Sequence, residues 1–304
     1  MAVQLKPGAR LARAAPPLLL VVNGNASGLT RLGRAFPEAL LRRAGGRVEV
    51  VMTESVDELA TAWPQDPGRR VVLVGGDGTV HAVANLPGAK PELALIPAGR
   101  ANNVARSLGI PLDMRRAADL AVSGSARSID VIEATLPGRR QLVVEGVSVG
   151  FLALARSRYH ERNSAAIVSG LVAGAGALAH FQPLPVEVRN GGQTESLRLA
   201  QLFVANLPLY EFGLRVAPHA DPGDATLDFV GIEANGRASI PAMLARLRRA
   251  AHVGRPGVHL WRASSARIAT HGSSPIVGDS TDLGFGPVTV RALSGALPIV
   301  APSR

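Results

Sequence analysis

Val71-Val72-Leu73-Val74 runs without a break into Gly75-Gly76-Asp77-Gly78-Thr79, and from there into a helical pattern that ends at Asn85. A uniformly apolar run of this length reads as a strand buried on both faces. A strand that turns at once into a helix belongs to a parallel sheet. The glycines let backbone amides approach an anion, and the helix N-terminus adds unpaired N–H donors and a favourable dipole. Such a turn is built for phosphate. Asp77 is no phosphate ligand by itself; it fits a Mg2+ partner or a group that orients an attacking hydroxyl. The plainer alternative makes it the N-cap of an ordinary strand–helix turn.

The same texture covers the first 127 residues. Strands are expected at 18–22, 48–52, 71–74 and 93–96, and helices at 30–44, 56–63, 79–85, 102–108 and 114–122. From Ser128 the pattern changes. Candidate strands at 128–135, 141–147, 184–189, 197–205, 226–232, 258–262, 266–270 and 288–292 are separated mostly by Gly, Pro, Asn and Asp. That spacing suggests antiparallel pairing. Helical patterns at 165–179 and 239–252 interrupt it. The expected fold class is therefore α/β: an N-terminal three-layer α/β/α domain with a parallel sheet over 1–127, then a C-terminal mainly antiparallel β-sandwich domain over 128–293. A chain of 304 residues suits two domains.

Composition excludes several classes. There is no cysteine, so disulfide frameworks, thiolate metal sites and a cysteine nucleophile are out. Apolar residues make up 47% and charged residues only 18%, which argues against disorder. The apolar run at 18–22 is too short for a secretory core, and the uncharged stretch 163–186 is too rich in small residues to span a bilayer. A cytoplasmic protein is expected, with room for a peripheral position on the inner membrane face. The net charge is +10, and because Lys6 and Lys90 are the lysines, nearly all 33 cations are arginines. That balance implies an anionic partner.

Five ordered blocks resemble the diacylglycerol kinase catalytic-domain family, which includes sphingosine and ceramide kinases and bacterial lipid kinases. Gly75–Thr79 reproduces its GGDGT signature. Asn23-Gly24-Asn25-Ala26-Ser27-Gly28 is similar to its first Asn-rich turn, and Pro97 to Arg106 to its P-x-G-T-x-N-[DN]-x-A-R segment. Ala205-Asn206-Leu207-Pro208 with Pro218 to Asp228 resembles its N…P-x-A…D-G-x-L-D block, and Asp279-Ser280-Thr281 stands where it writes D-G-E.

The resemblance implies an ATP-dependent lipid kinase that transfers the γ-phosphoryl of Mg·ATP to a hydroxyl of a diacylglycerol-like or sphingoid lipid. By that resemblance Asn23, Ser27, Gly75, Gly76, Gly78, Thr79, Gly99, Arg100 and Asn102 hold the nucleotide. Asp77, Asp279 and Asp130 are the implied catalytic acids. Asp77 is also an implied Mg2+ ligand, and Asp221 and Asp224 match a second, structural Mg2+ site of bacterial relatives. The nucleotide is expected between the domains, and the final segment, about 294–304, is expected to return to the first. The implied partners are ATP and a lipid substrate at a membrane surface, with no nucleic acid; a homodimer is left open.

Departures define the alternatives. The family's glutamate three residues after the signature threonine is Ala82, its P-x-G-T threonine is Arg100, and its D-G-E glutamate is Thr281. These keep open a catalytically weakened nucleotide- or lipid-binding member, a sensor or carrier. An NAD kinase is the remaining alternative. The G-x-G-x-x-A run at 174–179 has no clean strand before it and reads as close helix packing. In the 239–252 helix an apolar stripe through Ile240, Leu244, Leu247 and Ala251 separates from Arg246, Arg248, Arg249 and His252. This helix either rests on an anionic bilayer or packs its stripe inward.

Overall fold

The computed structural model describes residues 18–26, 28, 36–64, 66, 68–160, 176–179, 181–234, 236–270 and 274–303. The first part alternates strands β1 (Leu18–Asn23), β2 (Val48–Thr53), β3 (Val71–Gly75) and β4 (Leu93–Pro97) with helices α1 (Phe36–Arg43), α2 (Val56–Ala62), α3 (Asp77–Asn85), α4 (Asn103–Ser107) and α5 (Met114–Ser123). The strands pair in parallel in the order β2-β1-β3-β4. Side-chain alternation explains the three layers. Leu19, Val21, Leu73 and Leu95 point to the face covered by Leu59, Val80 and Val104, whereas Leu20, Val22, Val72 and Ile96 meet Leu40, Leu41 and Ala117 on the other. Local caps set the helix starts. Ser55 accepts the Glu58 amide at 3.1 Å, and Asp113 accepts those of Arg115 and Arg116.

The second part adds β5 (Ala126–Leu136), β6 (Arg139–Val143), β7 (Gly146–Gly150), α6 (Phe151–His160), β8 (Leu184–Asn190), β9 (Gln193–Leu199), β10 (Gln201–Ala205) and β11 (Leu227–Ile232). Then follow α7 (Ile240–Arg248), β12 (Val258–Ala263), β13 (Ser265–Thr270), β14 (Pro275–Gly278), β15 (Thr281–Phe285) and β16 (Val288–Val300). Strand β16 joins the two parts: Ile299 pairs in parallel with Leu93 of β4, while β5 and β13 pair antiparallel along its length. A second, antiparallel sheet has the order β12-β11-β10-β7-β14-β15. Ile132, Val188 and Val290 from the first sheet meet Val147, Val204 and Phe229 from the second, the core of a β-sandwich.

The α/β and β-sandwich architecture expected from the sequence is the one observed, with local differences. The expected strand 141–147 is two strands, because the amides of Val144, Glu145 and Gly146 turn to Asp279. The expected strand 197–205 breaks at Ala200, whose amide donates to Ile232 O. Helix α6 and the hairpin β14–β15 were not expected. The expected helix 165–179 lies mostly outside the described residues, with 176–179 helical, and 30–35 of the expected first helix lies outside them too. The basic helix is shorter than expected, and it packs inward: Ile240, Met243 and Leu247 are buried beside Phe203 and Val230.

Candidate active site

Three loops meet at the carboxyl ends of β1, β3 and β4, where ligands bind in open α/β sheets. Asn23 Nδ2 donates to Thr79 Oγ1 at 3.0 Å, and Gly28 N donates to Ala98 O at 2.9 Å, tying the first loop to the other two. The second and third touch backbone to backbone. A Cβ on Gly99 would lie 2.5 Å from the Gly76 Cα, and one on Gly76 would lie 2.9 Å from the Gly99 Cα. Glycine is required at both. Asn102 locks the third loop from a left-handed backbone (φ 51°), accepting from Gly99 N at 3.0 Å and donating to Gly99 O at 2.9 Å.

Helix α3 starts at this contact. Its N-cap is Gly76, and no side chain caps its first turn, where Thr79 N turns back to Gly76 O at 3.0 Å. Asp77 does not cap its own helix: its Oδ1 accepts the Val104 amide at 3.0 Å, in the first turn of α4. Gly78 is exposed, and a Cβ there would meet nothing within 4 Å. Two helix starts, open backbone and one carboxylate fit a nucleotide triphosphate carrying Mg2+, an ion commonly held by one or two carboxylates plus phosphate oxygens. Arg100 is exposed on the adjoining loop, within the same turn. Ser27 lies outside the described residues.

One helical turn beyond Asp77, His81 meets two carboxylates from far along the sequence. Its Nε2 lies 3.4 Å from Glu145 Oε1 and 3.5 Å from Asp279 Oδ2, ionic contacts longer than formed hydrogen bonds. Burial works against a charge on His81, but the carboxylates of Asp279, Glu145 and Asp77 outweigh it and raise the imidazole to about 9. Burial likewise pushes Glu145 up, to about 7, with His81 pulling the other way. Asp279, in a left-handed backbone (φ 47°), receives the Val144, Glu145 and Gly146 amides. Burial still holds its carboxyl above the usual range, against the pull of His81 and those amides. Glu145 also accepts from Asn103 Nδ2 at 3.0 Å and from Glu211 N at 3.2 Å.

Asp77 and Asp279 therefore share one neighbourhood through His81. The described contacts of Asp130 are of another kind. It is 1% exposed, and its carboxylate accepts Ala225 N at 2.7 Å and Gly295 N at 2.8 Å, fastening the loop after Asp221 to β16. Asp221 accepts Gly223 N within that loop, and Asp224 forms an ion pair with Arg262. Among the described residues no three His, Asp or Glu side chains cluster as a metal site. Ala82 packs against the core under α3, and Thr281 is exposed. Asp282 turns to Gly284 N and Ser157 Oγ. Sequence reasoning missed His81, Glu145 and Glu211. The available signals were a lone acid inside the apolar run Val143-Val144-Glu145-Gly146-Val147 and a histidine four residues, one turn, after Asp77.

Residues 17–134 match the diacylglycerol kinase catalytic domain, and residues 145–301 match the YegS C-terminal NAD kinase beta sandwich-like domain. A diacylglycerol kinase of Mycobacterium tuberculosis is 28% identical over 239 residues, covering 76% of this chain and 76% of that protein. A protein of Escherichia fergusonii named "Probable lipid kinase YegS" is 29% identical over 186 residues, 57% of this chain and 60% of the relative. A solved diacylglycerol kinase structure from Bacillus anthracis superposes with a TM-score of 0.66, covering 94% of this chain and 97% of that one at 20% identity. That likeness concerns the fold. No helix among the described residues is long and apolar enough to cross a membrane. With a catalytic-domain match followed by a sandwich-domain match over more than half its length, the chain belongs to the diacylglycerol kinase/YegS lipid kinase family.

Proposed function

We propose that the protein transfers the γ-phosphoryl group of ATP to a hydroxyl of a diacylglycerol-like or sphingoid lipid. The observation that carries this reading is the contact of Gly76 with Gly99 beside Asp77, one helical turn from the His81–Glu145–Asp279 cluster. The first-turn amides of α3, with Gly75, Gly78, Thr79 and Asn23, cradle the phosphates. Asp77 would hold Mg2+, which when bound neutralises phosphate charge. Arg100 adds a cation on the nucleotide side. On the far side the Asp279–Glu145 pair faces the lipid hydroxyl, and one carboxylate of the pair takes its proton as the new O–P bond forms and the bond between the β,γ-bridging oxygen and the γ-phosphorus breaks. His81 offsets the two buried carboxylates and keeps their charge tolerable.

A second reading, a nucleotide-binding member with slowed chemistry, is favoured by the exposure of Thr281 and the diversion of Asp282 to Gly284. Incubation with labelled ATP, Mg2+ and a panel of lipid alcohols separates the readings. Phosphorylated lipid at ordinary kinase rates supports the first. Binding of Mg·ATP without turnover, restored by Ala82→Glu with Arg100→Thr, supports the second, and phosphorylation of NAD instead of lipid overturns both.

A further inference from the structure

The segment after β10 ends in a tight turn. Tyr210 and Leu214 exchange both backbone hydrogen bonds at 2.9 Å, and Leu214 N also donates to Glu211 O at 2.9 Å. The two residues inside the turn, Phe212 and Gly213, are both left-handed, with φ of 41° and 76°. A two-residue turn of this hand favours Asn, Asp or Gly at its first position. A bulky aromatic there is strained. Packing does not explain the ring, because Phe212 is 77% exposed, the most exposed of the large apolar residues described. Strain kept at a ring this exposed points to a contact outside the chain.

The turn is rooted at the candidate active site. Glu211 N donates to Glu145 Oε2, and Ser280 Oγ, next to Asp279, donates to Glu211 Oε1 at 2.9 Å. The arm that leaves the turn is stitched to the end of α7. Arg215 N donates to Leu247 O at 3.0 Å, and His252 Nε2 lies 2.9 Å from Val216 O. Beside that arm stand the exposed Arg215, Arg246, Arg248, Arg249 and Arg255, with Val253 37% exposed among them. The sequence from 237 to 255 contains no acidic residue to offset them. Because α7 buries its apolar stripe, it offers charge and no insertion face.

We propose that Phe212 is an interfacial anchor: its ring enters the headgroup boundary of an anionic bilayer while the neighbouring arginines meet lipid phosphates, which sets the Glu145–Asp279 end of the site at the membrane surface. The proposal rests on the lipid-kinase reading. An exposed ring and a basic surface together fit an anionic membrane, since the cations gather near a negative surface and the ring sits at its apolar boundary.

The test is vesicle flotation without nucleotide, using phosphatidylcholine vesicles with and without phosphatidylglycerol. Wild type is expected to float with the anionic vesicles. Phe212→Asn should bind about tenfold more weakly, because one ring's burial is lost, and Phe212→Trp should bind as wild type. Phe212→Asn suits the left-handed turn, so its melting temperature should rise by about 2 °C, which excludes misfolding as the cause. Equal flotation of wild type and Phe212→Asn overturns the proposal. So does no flotation of wild type, or a wild-type dimer on gel filtration that Phe212→Asn disperses, which would give the ring to a second copy. Phe212-dependent binding without lipid turnover would count against the kinase reading alone.

Discussion

Asp77 Oδ1 accepts the Val104 amide at 3.0 Å, so the acid of the phosphate turn also caps a helix to which it does not belong. The carboxylate thus has a structural task at one oxygen. Asp77→Asn keeps an acceptor there, and its melting temperature should match wild type. Asp77→Ala removes the cap and should cost about 1 kcal/mol. Thermal unfolding of the three proteins decides it: an Ala variant as stable as wild type would show that Val104 needs no cap.

His81 should stay charged well above neutrality. Its pKa is raised from 6.5 to about 9 because the surrounding carboxylates outweigh burial. A raised folded-state pKa means that the stabilisation is fully present below about 6.5 and is lost as pH rises through 9. Glu145, raised to about 7, adds loss in the same direction over the range from 4.5 to 7. Stability should therefore fall on the order of 3 kcal/mol between pH 6.5 and 9. Denaturation at both pH values, with the His81 ring followed by NMR, checks this. A ring midpoint at or below 6.5, or stability that rises over the window, would contradict the buried charge cluster.

Asp130 should be chiefly a structural residue. Asp130→Ala leaves the Ala225 and Gly295 amides without their acceptor in a buried place, at a cost of about 1–3 kcal/mol. Asp130→Asn retains one acceptor oxygen and sets an NH2 against the other amide, so it should lose less stability than the Ala variant and retain most of the turnover. If Asp130→Asn keeps wild-type stability yet loses turnover 100-fold or more, Asp130 belongs to the chemistry instead.

Arg262 occupies the position of a counter-ion to Asp224 and lies 3.5 Å from Asp228. A divalent ion held by Asp221 and Asp224 would compete with it. Millimolar Mg2+ alone should therefore raise the melting temperature of Arg262→Ala more than that of wild type. An equal rise in both would mean that the loop binds Mg2+ with Arg262 in place.

What the sequence made legible was whatever depends on neighbours along the chain. Val71–Val74 and Leu93–Ile96 are apolar at every position because both sheet faces are covered, and the glycine turn announces its backbone in its residue types. What depends on distant partners stayed hidden. The break after Val143 comes from Asp279, more than 130 residues away, which draws three successive amides out of the ladder. Glu145 reads locally as an oddity in a strand, and its meeting with His81 depends on how the sandwich seats against α3. The amphipathic stripe of α7 was visible. Its burial was not, because periodicity gives the face and tertiary packing chooses what covers it.

Lipid phosphorylation by wild type and Asp77→Asn, measured side by side with their melting temperatures, tests the central claim most directly. On the proposed reading, in which Asp77 would hold Mg2+ and align the transfer, loss of its charge should lower the rate about 10²–10⁴-fold at an unchanged melting temperature. Retained lipid phosphorylation in a folded Asp77→Asn protein would contradict the assignment of the chemistry to this turn.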